Sequence, residues 1–164
     1  MRVDKRKDLR PSIFDRLIDN EPNLNVEPDR DKYQKLKQLR QSVRRDLENL
    51  LNTRYRIVKP PEELSELEHS ILNYGLPDLA TVNVQDVNMR KDFTKSLEKI
   101  LKKYEPRFKS VRVSYLDNHK KTDRTLRFRI DATLYADPAP EVVVFDSTLE
   151  PVSRTMNVEE ARHG

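Results

Sequence analysis

The sequence predicts an α+β fold: about three helices followed by a small antiparallel sheet, a hairpin plus a third strand, with an N-terminal arm. Three observations predict it. Apolar residues recur every three to four positions before Pro106, the period drops to two after it, and proline or polar clusters separate the periodic stretches. Helices gathered first and strands last is the order of α+β domains, unlike the alternation of parallel βα units.

With 164 residues the chain has the length of one ordinary domain, yet it is 37% charged and 35% hydrophobic, with a mean hydropathy of −0.87. Part of it must therefore lie outside a core. Residues 1–32 read as an arm and linker, 33–150 as a single α+β domain, and 151–164 as a flexible C-terminal tail. In the arm, Leu9, Ile13, Phe14, Leu17 and Ile18 form one apolar stripe on a short helix. It is covered either by the domain itself or by a partner. Pro22 and Pro28 then mark a linker.

From Tyr33 to about Asn52, Leu36, Leu39, Val43, Leu47, Leu50 and Leu51 step by three and four, the pattern of an amphipathic helix. Lys35, Lys37, Arg40, Arg44 and Arg45 occupy its other face, expected to be solvated or else to dock acidic partners. Pro60, Pro61, Glu62 and Glu63 suit a helix start, because proline is at home in a first turn and anionic groups favour that end. A short helix is expected through Leu64, Leu67 and Ile71, closed by Gly75 in a left-handed C-cap before Pro77. Leu79, Thr81 and Val82 suggest a brief extended piece. Asn83 and Asp86 offer a start for the next helix, whose stripe is Met89, Phe93, Leu97, Ile100, Leu101 and Tyr104. Lys99, Lys102 and Lys103 complement its C-terminal dipole.

Beyond Pro106, Val111, Val113 and Tyr115 alternate with polar residues, and Leu126, Phe128, Ile130, Ala132 and Leu134 do the same after a polar turn. Val142, Val143, Val144 and Phe145 make the third strand.

Inventory excludes most catalysis. Cysteine is absent, which removes disulfides and thiolate chemistry and fits a reducing compartment. The three histidines, His69, His119 and His163, lie far apart in the sequence and no cysteine accompanies them, so a zinc site is not expected. Only Gly75 and Gly164 are glycine, too few for a phosphate-cradling loop. No metal or cofactor is expected. Net charge is +4, a small difference between 32 basic and 28 acidic residues interspersed along the chain, so nucleic-acid binding is permitted without being indicated. No run approaches the ~20 apolar residues of a membrane span, and a soluble, cytoplasmic protein is expected. A glycosidase needs only two placed carboxylates, and Glu105 beside Tyr104 and Pro106 is the one candidate for a lytic acid.

Glu105-Pro106-Arg107 is the most informative tripeptide. Proline cannot continue the helical ladder, so the helix ends here on a sharp corner flanked by two charges. Arg107 offers a planar fork for a carboxylate. Both charges are expected to face solvent in the isolated chain and to pair only with a partner.

Taken in order, Arg10-Pro11-Ser12-Ile13-Phe14-Asp15-Arg16-Leu17, Leu50-Leu51-Asn52-Thr53-Arg54, Ser70-Ile71-Leu72-Asn73-Tyr74-Gly75-Leu76-Pro77-Asp78 and Glu105-Pro106-Arg107 resemble the TssE family. These are type VI secretion baseplate subunits related to the wedge protein of contractile phage tails. The resemblance runs over roughly residues 10–146 and implies a structural, non-enzymatic role. It implies TssF and TssG as wedge partners, TssK as a further neighbour, and docking of the sheath formed by TssB and TssC, with assembly near the inner membrane. By similarity, Glu105, Pro106 and Arg107 contact neighbouring wedge components; Ile13, Phe14 and Leu17, from the apolar stripe of the arm, are expected to bind a partner. Sheath strands are expected to add at the last strand region, with Val143 and Val144 on the receiving edge. A lysozyme-like peptidoglycan hydrolase and a basic nucleic-acid adaptor are the alternatives.

Overall fold

A computed structural model describes residues 13–17, 22–23, 32–55, 61, 63–64, 66–67, 70–77, 86–117, 125–136, 139–150, 153 and 155–161. In it α1 (Ile13–Leu17), α2 (Lys32–Asn52) and α3 (Val87–Tyr104) precede four strands: β1 (Phe108–Leu116), β2 (Leu126–Leu134), β3 (Glu141–Leu149) and β4 (Met156–Glu160). The strands form one antiparallel meander in the order β1-β2-β3-β4. This is the expected α+β class, with one more strand than the sequence suggested.

The apolar stripes explain the packing. Leu39, Val43, Leu47, Leu50 and Leu51 of α2 and Phe93, Leu97 and Leu101 of α3 are buried in one cluster with the inward residues of the sheet. Each such side chain contributes about 1.5–3 kcal/mol when fully withdrawn from water. β2 alternates strictly between buried and half-buried positions, as a strand with one face on the core must. The Phe93 and Phe128 rings meet at 5.7 Å between α3 and β2. In β1 the register shifts between Phe108 and Ser110, so Phe108 and Val111, three apart, both reach the core.

Local chemistry fixes the helix ends. Asp86 caps α3, its carboxylate accepting from the Asn88 and Met89 amides. Between α2 and α3 the expected short α-helix is instead, among the described residues, a 3₁₀ turn at Ile71–Asn73, with Ser70 as its cap. Ile71, placed in its apolar stripe, points outward. Gly75 does have positive φ, at +114°, but not the left-handed cap that was expected. Its neighbour Leu76 forms a parallel bridge with Arg54, and a Cβ on Gly75 would lie 2.5 Å from the Thr53 carbonyl oxygen. Close backbone approach is why glycine stands there.

Three sequence expectations are corrected. The tail 151–164 carries β4, whose Met156 and Val158 are buried in the core. The basic face of α2 is not simply solvated: Arg40 pairs with Glu141 and Glu160, and Arg44 with Glu48 and the Val158 carbonyl. Val143 and Val144 lie on β3, an interior strand between β2 and β4. Val143 is 1% exposed and part of the core, and the Val144 carbonyl already accepts from the Ala161 amide. β3 is therefore not a receiving edge.

The proposed extended piece at Leu79, Thr81 and Val82, the arm residues Leu9 and Ile18, and all three histidines lie outside the described residues. Among the described residues no helix is long and apolar enough to cross a membrane.

Candidate functional site at the helix-to-sheet corner

α3 stops at Tyr104 because the next peptide leads into Pro106. Glu105 becomes the C-cap, at φ −114° and ψ 85°, with its amide still donating to the Leu101 carbonyl. A tight turn follows, closed by the Phe108 amide on the Glu105 carbonyl at 3.2 Å. The Arg107 carbonyl then accepts from the Tyr135 amide at 2.9 Å, tying the corner to the end of β2. Backbone rules thus fold two charged side chains back toward α2.

Their environment overturns the expected exposure. Glu105 is 5% exposed, and the Arg107 side chain is 17% exposed. The Arg107 guanidinium engages both Glu105 oxygens, through Nε at 2.6 Å and through Nη2. Nη2 also reaches Asp46 Oδ2 at 2.6 Å, and Nη1 donates to Ser42 Oγ at 3.0 Å. The reason is geometric: the planar fork folds back onto α2 and finds three acceptor groups, Glu105, Asp46 and Ser42, supplied by its own domain. Burial, the largest single influence, works against the charge. The hydrogen bonds and negative charges of Glu105 and Asp46 together outweigh it and hold the Arg107 pKa above its ordinary value.

Tyr74, behind the 3₁₀ turn, closes the site. Its ring meets Tyr104 edge-on at 5.1 Å, and the Tyr104 hydroxyl donates to the Asn73 carbonyl. Burial first, then the Asp46 and Glu105 carboxylates, push the Tyr74 phenol up. Arg107 engages both Glu105 oxygens.

The N-terminal arm joins the same cluster. Ser42 Oγ accepts from Arg107 and donates to Asp15 of α1, and Arg45 also pairs with Asp15. The Arg45 guanidinium lies 5.0 Å above the Phe14 ring. A polar contact docks α1, while Ile13 and Leu17 each remain 78% exposed and Phe14 58%. The structure thus brings Glu105, Pro106 and Arg107 together with the arm residues Ile13, Phe14 and Leu17 on one side of α2, and leaves Val143 and Val144 elsewhere. Sequence reasoning missed Ser42, Asp46 and Asp15. The one available signal was Ser42 lying beside Val43 within the apolar stripe of α2.

The family model described as baseplate wedge protein gp25 matches residues 37–139. The chain belongs to the gp25 baseplate wedge family. No curated protein matches it significantly. The gp25 match includes Ser42, Asp46, Glu105, Pro106 and Arg107, so the whole charged brace lies within the family segment. α1, β3 and β4 lie outside it. Membership agrees with the resemblance carried by the four sequence fragments, since TssE is the type VI homologue of gp25.

Proposed function

We propose that this gp25-family chain is a structural wedge subunit in the baseplate of a contractile type VI secretion machine. It joins TssF and TssG, with TssK adjacent, and docks or nucleates the sheath of TssB and TssC. It acts by binding, without catalysis, in the cytoplasm against the inner membrane. The observation that carries this reading is the family match across the corner and the α2 residues that brace it.

In this reading the corner works by rigidity. Arg107, Glu105 and Asp46 fix the angle between α3 and β1 and its position on α2, and they present exposed Pro106 at the apex. Partner subunits then meet a preorganised shape, which lowers the entropy lost on binding. Ile13, Phe14 and Leu17 offer apolar contacts beside it.

The test is co-purification of the full chain, tagged in its own cells, with TssF, TssG and the sheath subunits, alongside clearing of purified cell wall. Recovery of wedge and sheath subunits without clearing is the expected result. Clearing that a Glu105→Gln variant abolishes would establish the hydrolase instead.

A further inference from the structure

The cations of the two long helices have different fates. On α2, Arg40 pairs with Glu141 and Glu160, Arg44 with Glu48, and Arg45 with Asp15 and Asp46. On α3, Lys91, Lys95, Lys99 and Lys102 are all exposed, and none of them makes an ion pair among the described residues. Helical geometry gathers these lysines within about 80° of arc and about 16 Å of axis. They form one face, although the charges along the chain are interspersed.

A solvated lysine face is ordinary, but this one carries a strain that the fold leaves in place. Lys91 and Lys95, and Lys95 and Lys99, are like charges four residues apart, which repel on a helix. Lys102 suits the negative end of the helix dipole, whereas Lys91 and Lys95 stand in the first half of α3, out of its reach. The acid placed to relieve them is spent elsewhere. Glu98, three residues from Lys95 and four from Lys102, turns to β1 and accepts from the Val113 amide at 2.8 Å. Asp92 is the one other acid of α3 and is exposed on the lysine side. A uniform field of phosphates would be repelled by it, while a protein surface can set carboxylates against the lysines and a cation against Asp92. Val87 and Met89, 53% and 45% exposed, flank the start of the face. They offer the apolar contact that protein interfaces use and phosphate backbones do not.

We infer that the lysine face of α3 docks an acidic helix of a partner protein, laid along α3 with a basic residue opposite Asp92. The spacing selects a helix. Lys91, Lys95 and Lys99 rise about 6 Å from one to the next, and a second helix presents glutamates at the same repeat when they stand four apart. Two helices crossing at about 20° keep such rows in step over several turns. Each exposed pair is weak alone, so the row acts as a set and its hold is sensitive to salt. The pattern of charges sets which partner fits and how fast it is found. None of these residues belongs to the corner cluster or the arm, so the inference goes beyond the wedge reading and does not require it.

The experiment follows the amide spectrum of the full chain in about 0.01 M salt, where screening reaches about 30 Å. Its probes are an alanine-rich helical peptide of about 18 residues with glutamate at every fourth position and one lysine beside them, a short DNA duplex, and phosphatidylcholine vesicles containing phosphatidylglycerol. The peptide should shift the amides of α3 from Lys91 to Lys102 and leave β4 unmoved. Raising salt to about 0.15 M should weaken it about tenfold. Reversing two charges together, Lys95→Glu with Lys99→Glu, should weaken it about tenfold or more, and the same peptide with lysine in place of glutamate should then bind that variant. Both positions are exposed, so the fold should survive, as circular dichroism would show. Asp92→Asn separates the occupants: it should weaken the peptide about twofold to fivefold by removing the partner of its lysine, whereas a phosphate surface would bind the variant more tightly. No shift at low salt, peptide binding that survives the charge reversal, or tighter peptide binding by Asp92→Asn overturns the inference. A stronger response to the duplex or the vesicles than to the peptide also overturns it, in favour of a phosphate surface.

Discussion

Two ion-pair sites share Ser42, and they are built to opposite ends. At the corner, Arg107 meets Glu105, Asp46 and Ser42 in a nearly buried cluster, with Asp46 and Ser42 held on α2 and Glu105 fixed as the C-cap of α3. One turn of α2 away, Asp15 of a five-residue helix meets Arg45 and Ser42 while the apolar residues beside it face water. The chemistry is the same, carboxylate to guanidinium and hydroxyl. Burial and redundancy differ. A pair anchored on the buried Glu105 leaves an uncompensated charge when it loses one member, whereas the Asp15–Arg45 pair, at 20% and 35% side-chain exposure, is partly open to water and costs less to break. The corner therefore belongs to the fold, and the arm is a dockable element that the fold merely positions.

The largest effect expected is that of Arg107→Ala. Removing the guanidinium strands two carboxylates and should cost about 3 kcal/mol, seen as a fall of about 6–12 °C in melting temperature for a domain of this size. Arg107→Lys keeps the charge without the fork and should recover less than half of that loss. A wild-type melting temperature for Arg107→Ala would erase the distinction between the two sites.

Next comes Ser42→Ala, which touches both. It leaves an Arg107 donor short of a partner and releases Asp15, at a cost of about 1–2 kcal/mol. A double-mutant cycle of Ser42 with Arg107 should show coupling above about 0.5 kcal/mol, and strict additivity would argue that the hydroxyl does not relay between them.

Asp15→Ala should change stability by less than about 1 kcal/mol. It should nevertheless speed limited proteolysis of the arm and weaken capture of TssF and TssG. Deleting residues 1–28 should do the same with only a modest change in melting. A collapse of the fold on that deletion would place the arm with the corner, inside the core's energetics.

The smallest effect is a pH dependence at the corner's rear. The Tyr74 pKa is raised above its ordinary value of 10.0, so the unfolded chain ionises first as pH climbs. The stability from neutral Tyr74 is full below that ordinary value and is lost as pH rises through the folded pKa. Alkaline unfolding should thus be shallower in Tyr74→Phe than in wild type, and parallel curves would detach Tyr74 from the brace.

Much of this was legible from local rules. The stripes of α2 and α3 follow a period that neighbouring residues impose on each other, and Pro106 ends α3 whatever surrounds it. The position of the candidate site was therefore readable, but its state was not. Arg107 is 65 residues from Ser42 and 61 from Asp46, and no spacing rule connects a corner to a helix that far back in the chain. β4 escaped notice because its five residues bury only Met156 and Val158 after a proline, too short a pattern to outweigh a tail-like composition.

By itself, the sequence determined the two long helices and the first three strands, where the helical part gives way to the sheet, and the family to which the chain belongs, because hydrophobic period, proline geometry and ordered motifs are all properties of contiguous residues. Tertiary structure alone decided that Val143 is core, that α2 bonds the backbone of β4 while Glu98 of α3 accepts from the Val113 amide of β1, and that the charges of the corner are satisfied within the domain. Those outcomes depend on strand order and on which groups meet across long sequence separations, where burial sets the strength of a charge.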